Sequence, residues 1–305
     1  MKDVIIIGGG IAGLSAGIYT QRGGLDSLLF ERIFTGGQAA TTDLIENYPG
    51  FVEPISGPEF ANNLTNHAKR FELPILYDEV TELQLDGHIK RVITNKETYE
   101  AKTLILAMGA QPRPLGLPGE EAFRGRGVSY CATCDGFFYR DKAVAVVGGG
   151  DTALSDAIYL SQHAKKVYLI HRRDEFRGAK MLQDRVFERE NIEVVWNSVV
   201  NKIITGDKVK GLILEDVINK RERQVQIDGL FIAVGVVPNN QLVEGKMNLN
   251  DAGFIKADEN MATEIAGVFV AGDLREKMLL QLITAAADGA IAATSAQNYI
   301  AINFT

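Results

Sequence analysis

Cysteine is nearly missing from this chain: there are two in 305 residues, Cys131 and Cys134. Two thiols cannot build the disulfide framework of a small secreted domain. Their C-x-x-C spacing therefore fits a reducing cytoplasmic setting and a redox or catalytic use better than a structural staple. An excess of positive charge is missing as well, the net charge being −7. That disfavours nucleic acid as a partner, because binding a phosphate backbone needs a basic face that releases counterions. No apolar run approaches the roughly 20 residues that span a bilayer, and no lipidation motif is visible, so no membrane is expected. The apolar run Val4 to Ile7 is too short for the core of a signal peptide; Asp3 precedes it and three glycines follow.

What is present is ordinary globular material, 46% hydrophobic and 23% charged, of a length that suits about two domains. Val4 to Ile7 reads as a strand buried on both faces. It runs into Gly8-Gly9-Gly10-Ile11-Ala12-Gly13, and Leu14 to Arg22 then reads as a helix. In that order the glycines have separate tasks: Gly8 allows a tight turn, Gly10 lets backbone approach a pyrophosphate, and Gly13 lets the helix pack close. The second strand, Leu28 to Phe30, closes on Glu31, an acid placed to accept hydrogen bonds from an adenosine ribose.

The polar segments Gly36 to Thr41 and Glu46 to Gly50, with Gly37, Gln38 and Asn47, suit a flavin cradle. Phe60 to Phe71 has helical periodicity, and Leu76 to Thr81 and Lys90 to Thr94 read as short antiparallel strands. Thr103 to Gly109 returns to the buried-strand pattern before Pro112 and Pro114 impose an extended connector. Beyond it lie Cys131, Cys134 and Asp135. A second strand, Ala143 to Val147, then enters Gly148-Gly149-Gly150-Asp151-Thr152-Ala153, with Ala153 where the third glycine would stand.

The two halves form an internal repeat: Ala107-Met108-Gly109 with Pro112 matches Ala233-Val234-Gly235 with Pro238. They differ at the end of the second strand. In place of an acid, Val167 to Ile170 ends in His171-Arg172-Arg173, with Arg177 a turn later. Arginines there suit a 2'-phosphate. The first half thus looks built for FAD and the second for NADPH. Near the end, Gly267 to Asp273 is another strand, whose Gly272 and Asp273 are placed for a flavin's linker. Gln281 to Tyr299 reads as an alanine-rich helix whose N-terminus suits the pyrimidine end of the ring.

Taken together, Gly8 to Gly13, Gly36-Gly37-Gln38, Cys131 to Gly136, Gly148 to Ala153, the arginine cluster and Gly272-Asp273 resemble the low-molecular-weight bacterial-type thioredoxin reductases along nearly the whole chain. The resemblance implies an α/β protein of two Rossmann-like, three-layer dinucleotide-binding domains, the second inserted in the first. Residues 1–113 and 246–305 would bind FAD, and residues 114–245 would bind NADPH and carry the C-x-x-C. It implies a cytoplasmic homodimer that reduces the disulfide of thioredoxin or a thioredoxin-like protein. Cys134 would face the flavin, Cys131 would attack the protein substrate, and Asp135 would carry the proton. A related flavin-dependent reductase with another electron donor or another thioredoxin-like acceptor is the alternative. The arginine cluster argues against a donor other than NADPH. One position departs from the family, which commonly has a basic residue where this chain has Leu280, just before Gln281.

Overall fold

The computed structural model describes residues 1–42, 44–45 and 47–304, and for Leu44 the backbone alone. Glu46 of the expected flavin cradle therefore lies outside the described residues. The chain divides into two compact units, Met1–Gln111 with Val237–Thr305, and Pro112–Val236.

The first unit is built on a sheet in which the parallel strands Ile75–Tyr77, Ser27–Glu31, Lys2–Ile7 and Thr98–Leu106 lie side by side. Strand Thr98–Leu106 changes partner midway. Residues 98–101 pair antiparallel with Lys90–Thr94, whereas 104–106 pair parallel with Val268–Val270. This is how the C-terminal segment rejoins the N-terminal one. Alternation along a strand sends successive side chains to opposite faces. Val4 and Ile6 accordingly enter one core, with Leu14, Ala16, Ala292 and Ala296 of the two long helices, while Ile5 and Ile7 enter the other, with Leu28 and Val92. All four are at most 4% exposed. At about 1.5–3 kcal/mol for each such side chain, the four-residue run anchors the sheet.

Helix Leu282–Asn303 crosses Ile11–Arg22 so closely that a Cβ on Gly289 would stand 2.1 Å from the Ala12 carbonyl oxygen. Its small residues permit that approach. The stretch Leu76 to Thr81, expected as one antiparallel strand, is instead two. Ile75–Tyr77 runs parallel to Ser27–Glu31, and Val80–Gln84 runs antiparallel to Lys90–Thr94. The chain turns between them because Asp78 N donates to Glu31 O and the Asp78 carboxyl accepts from Glu79 N.

The second unit repeats the plan with five parallel strands, in the order Val128–Ser129, Gly229–Ile232, Ala143–Val147, Lys166–Ile170 and Ile192–Val195. A three-stranded antiparallel sheet spans Ser198–Thr205, Val209–Asp216 and Glu222–Gln226. The crossing strands Ala110–Pro112 and Val236–Pro238 pair with each other. The chain thus leaves the second unit at residue 236, earlier than the expected 245, because Val243 and Met247 are buried in the core of the first.

Candidate active site

In the first unit the glycine turn is dictated by space. Gly8 adopts φ +105°, and a Cβ there would stand 2.4 Å from the Ala107 carbonyl oxygen; one on Gly13 would stand 1.9 Å from the oxygen of Gly8. A side chain on Gly13 would push the helix off the strand, and one on Gly8 would strike the backbone just past the neighbouring strand Thr98–Leu106. Gly10 caps helix Ile11–Arg22, and the nearest atom to its missing Cβ is the Gly37 Cα, 3.9 Å away. Two backbone segments without side chains thus face each other across a notch. Glu31 borders it, one carboxyl oxygen accepting from Gly9 N at 2.8 Å and the other from Ile33 N at 3.0 Å.

Residues far apart in sequence meet around this notch. Asn47 Nδ2 donates to Gln281 Oε1 at 3.1 Å, 234 positions away. Gln281 is not the first residue of the last helix but its N-cap, in a reciprocal capping box with Thr284. Gln38 Nε2 donates to the Ala110 carbonyl. Gly272, at φ +77°, touches Ala12 and donates its N–H to Asp288 Oδ2 at 3.1 Å.

Asp273 Oδ1 is buried and lacks hydrogen-bond geometry to any described group, although Lys277 Nζ lies 3.1 Å away as an ion pair. Burial pushes the Asp273 carboxyl above its ordinary range; Lys277 opposes that shift and Asp288 adds to it. A buried carboxyl oxygen whose one close partner is the Lys277 ammonium, near a side-chain-free notch, has acceptor capacity left for a ligand that brings hydroxyl donors and a pyrophosphate.

Sequence reasoning missed Lys277 and Asp288. The Lys277 ammonium is bound at 3.1 Å by both Asp273 and Asp288, and Arg275 Nε reaches the same Asp288 oxygen at 3.1 Å. The available signal was a lone acid in an alanine-rich helix, together with two bases within four residues of Asp273. Leu280 leaves no cation at its own position, yet a buried one stands three residues earlier.

In the second unit the same turn recurs with different neighbours. A Cβ on Gly148 would stand 2.4 Å from the Ala233 carbonyl oxygen. Ala153 is fully buried against this turn, so its part is to let the helix approach. Gly150 caps helix Asp151–Ser161 and has nothing within 4 Å of its missing Cβ, the open space a pyrophosphate requires. Thr152 is exposed beside it. Asp151 Oδ1 accepts from Ala179 N at 2.6 Å, which folds the loop after Arg177 back onto the helix start. Arg177 N donates to Gly149 O at 2.8 Å and adds a second tie.

His171 takes the structural place that Glu31 holds in the first unit. Its ring covers Gly149, where a Cβ would come within 2.2 Å of it, and it packs on Phe176 and Trp196. It is 5% exposed, and its Nε2 has no hydrogen-bond partner among the described residues. Burial, followed by the nearby arginines, lowers its pKa, while a backbone hydrogen bond at Glu175 partly offsets this. Arg172, Arg173 and Arg177 are exposed, and among the described residues none of them forms an ion pair. Guanidinium groups gathered without a carboxylate partner are free to take a phosphate.

The cysteines lie in the same unit. Cys131 and Cys134 form a disulfide, with S–S 2.04 Å and Cα–Cα 5.3 Å. Cys131 caps the short helix Ala132–Asp135, and Asp135 N donates to Cys131 O at 3.1 Å. Cys131 and Cys134 are half-buried, as is Asp135. Ala132, between the two cysteines, is buried with Ala153, Leu154 and Ala157, and a Cβ on Gly136 would stand 2.9 Å from Leu160 and Tyr159. The redox pair therefore rests on the helix that begins at the glycine turn. Phe137 and Phe138 follow it, 51% and 41% exposed.

A family model described as pyridine nucleotide-disulphide oxidoreductase matches residues 2–290. The chain is 43% identical over 300 residues to a thioredoxin reductase of Bacillus subtilis (strain 168), covering 98% of this chain and 94% of that one. It is 45% identical over 305 residues to a thioredoxin reductase of Streptomyces clavuligerus, covering 99% and 94%. Among solved structures, thioredoxin reductase from Streptococcus pyogenes MGAS5005 superimposes with a TM-score of 0.91 at 43% identity, over 99% of both chains.

Proposed function

The chain belongs to the pyridine nucleotide-disulphide oxidoreductase family, and from that premise we infer that it is a thioredoxin-disulfide reductase, an NADPH-dependent flavoprotein. The observation that carries this reading is the Cys131–Cys134 disulfide, built onto the same unit as three arginines that, among the described residues, form no ion pair and stand just past the second strand of its glycine-turn motif. FAD, when bound, supplies the transfer of NADPH's electron pair to that disulfide.

The residues divide the work as follows. Gly8, Gly10, Gly13, Glu31, Gly37, Gln38, Asn47, Gly272, Asp273 and Gln281 hold FAD in the first unit. Gly148, Gly150, Asp151, Thr152, Ala153 and His171 shape the NADPH site in the second, and Arg172, Arg173 and Arg177 select its 2'-phosphate. Cys134 is the sulfur that receives electrons. Once the pair is reduced, Cys131 Sγ attacks one sulfur of the thioredoxin disulfide, and the other sulfur leaves with a proton. Cys134 Sγ then attacks Cys131 Sγ, which restores the internal disulfide and releases the second thiol. Asp135, at the end of the same short helix, holds and returns the proton, since exchange requires a thiolate at each attack.

The cysteines and the NADPH residues belong to one unit and the FAD residues to the other. Reduction of the flavin and oxidation of the flavin by the disulfide each need contact within about 3–3.5 Å. The second unit therefore presents its two functional parts to the flavin in turn, by rotation about the paired crossing strands. Undiminished turnover in a protein whose units are cross-linked would overturn that rotation. The protein acts as a homodimer in the cytoplasm. Among the described residues no helix is long and apolar enough to cross a membrane.

Anaerobic titration of the purified yellow protein tests the whole scheme. NADPH should deliver two electron pairs per chain, one to flavin and one to disulfide, and oxidised thioredoxin should then withdraw them. Uptake of a single pair would refute the role of the cysteines.

A further inference from the structure

Glu120 is 4% exposed, unusual for a glutamate in a glycine- and proline-rich loop. Three donors converge on its carboxyl group: Leu115 N at 2.9 Å, Leu117 N at 3.0 Å and the Tyr130 hydroxyl at 2.5 Å. Every partner donates, so Glu120 acts as an acceptor alone. Leu115 and Leu117 belong to the connector by which the chain enters the second unit. Tyr130 is the residue immediately before Cys131. One buried side chain thus joins the connector to the main chain that carries a redox sulfur.

The other contacts of this segment point the same way. Arg124 stands 5.4 Å over the Tyr130 ring and holds it from a second side. Burial, reinforced by Glu120, raises the Tyr130 phenol well above its usual range, so it remains a donor through neutral and alkaline pH. Cys131 N donates to Ser129 Oγ at 3.0 Å, and Ser129, 3% exposed, lies in a strand of the sheet. The backbone of Cys131 therefore has one tether to the sheet and, through Tyr130, one to the connector. These tethers matter most when the disulfide is open, because the covalent link that fixes Cys131 is then gone.

We propose that Glu120 and Tyr130 are positioning residues for the redox pair, a latch that returns Cys131 Sγ to one place each time the Cys131–Cys134 disulfide opens. The bond-forming step is the one already assigned. Cys131 Sγ bonds to one sulfur of the acceptor disulfide while the other departs with a proton, and Cys134 Sγ then displaces the acceptor. The latch exchanges no proton or electron in it. Its contribution is aim, and a misplacement of about 1 Å can cost on the order of 100-fold in rate.

The proposal rests on the reading of Cys131 as the sulfur that meets thioredoxin, and the two can be separated in one set of assays. Tyr130→Phe and Glu120→Gln holoenzymes are compared with the parent for NADPH-driven reduction of thioredoxin, NADPH-driven reduction of ferricyanide, and iodoacetamide alkylation of the reduced protein. The latch predicts a kcat for thioredoxin lower by about tenfold or more in both variants, with KM for thioredoxin and the ferricyanide rate nearly unchanged. It also predicts an alkylation rate at Cys131 that differs clearly from the parent's. Should Glu120→Gln fail to fold, Tyr130→Phe, which removes one oxygen, decides alone. A kcat for Tyr130→Phe within twofold of the parent overturns the latch, as does a parallel fall in the ferricyanide rate. Failure of the parent itself to reduce thioredoxin overturns the reading beneath it.

Discussion

Replacing Lys277 by methionine removes one charge from a buried group of four. The Lys277 and Asp288 side chains are each 6% exposed, Arg275 18% and Asp273 26%. In the parent two cations face two acids. In the variant Asp288 keeps Arg275 and the N–H of Gly272, but Asp273 loses its one ion-pair partner among the described residues. Removing one partner of a buried pair costs about 3–5 kcal/mol. The partial exposure of Asp273 and the surviving Arg275 place this case near the lower figure. The first unit holds about 180 residues, for which each kcal/mol moves Tm by about 2–4 °C. Lys277→Met should therefore lower the melting temperature of that unit by roughly 6–12 °C at pH 8, measured by calorimetry at constant excess FAD.

The pH dependence has a definite sign. Burial already holds the Asp273 carboxyl above its ordinary range, and the variant lacks the cation that draws it down. A carboxyl with a higher pKa folded than unfolded takes up protons on folding. Its penalty is thus full above the folded value and is relieved as pH falls through it. The gap between variant and parent should narrow between pH 8 and pH 5. A Tm shift below about 2 °C at pH 8, or a gap that widens in acid, would refute the argument.

Two further outcomes follow from the second unit. Arg172→Ala combined with Arg173→Ala should weaken NADPH by about tenfold or more while leaving NADH nearly unaffected, since charged hydrogen bonds to a phosphate are lost; stopped-flow bleaching of the flavin by each nucleotide measures this, and equal losses for both would exclude 2'-phosphate recognition. Phe137→Ala combined with Phe138→Ala should raise KM for thioredoxin several-fold and spare NADPH-driven dye reduction, because both rings are exposed beside the redox helix. An unchanged KM would remove them from the docking surface.

The two glycine turns, the acid closing one second strand and the arginines closing the other were legible because each is a short-range pattern. Strand, turn and helix follow one another within some 25 residues, and the steric demand for glycine at Gly8 or Gly148 appears in the residue itself. The redox pair was legible for a similar reason, since Cys131 and Cys134 stand alone in the chain. The split of Leu76 to Thr81 into two strands was not, because it depends on which neighbour each half meets: Ser27–Glu31 for one, Lys90–Thr94 for the other.

The same distinction governs the sites. Sequence by itself determined which chemical groups are present: a pair of cysteines, two glycine turns between strand and helix, a carboxyl beside a cysteine and a cluster of arginines. Tertiary structure decided which charges are buried and what satisfies them. Asn47 finds Gln281 across 234 positions, Lys277 stands between Asp273 and Asp288, and Glu120 collects Leu115, Leu117 and Tyr130. A buried polar group is stable only with partners. Those partners are chosen by where the packed sheets and helices bring distant segments together, which no local pattern encodes.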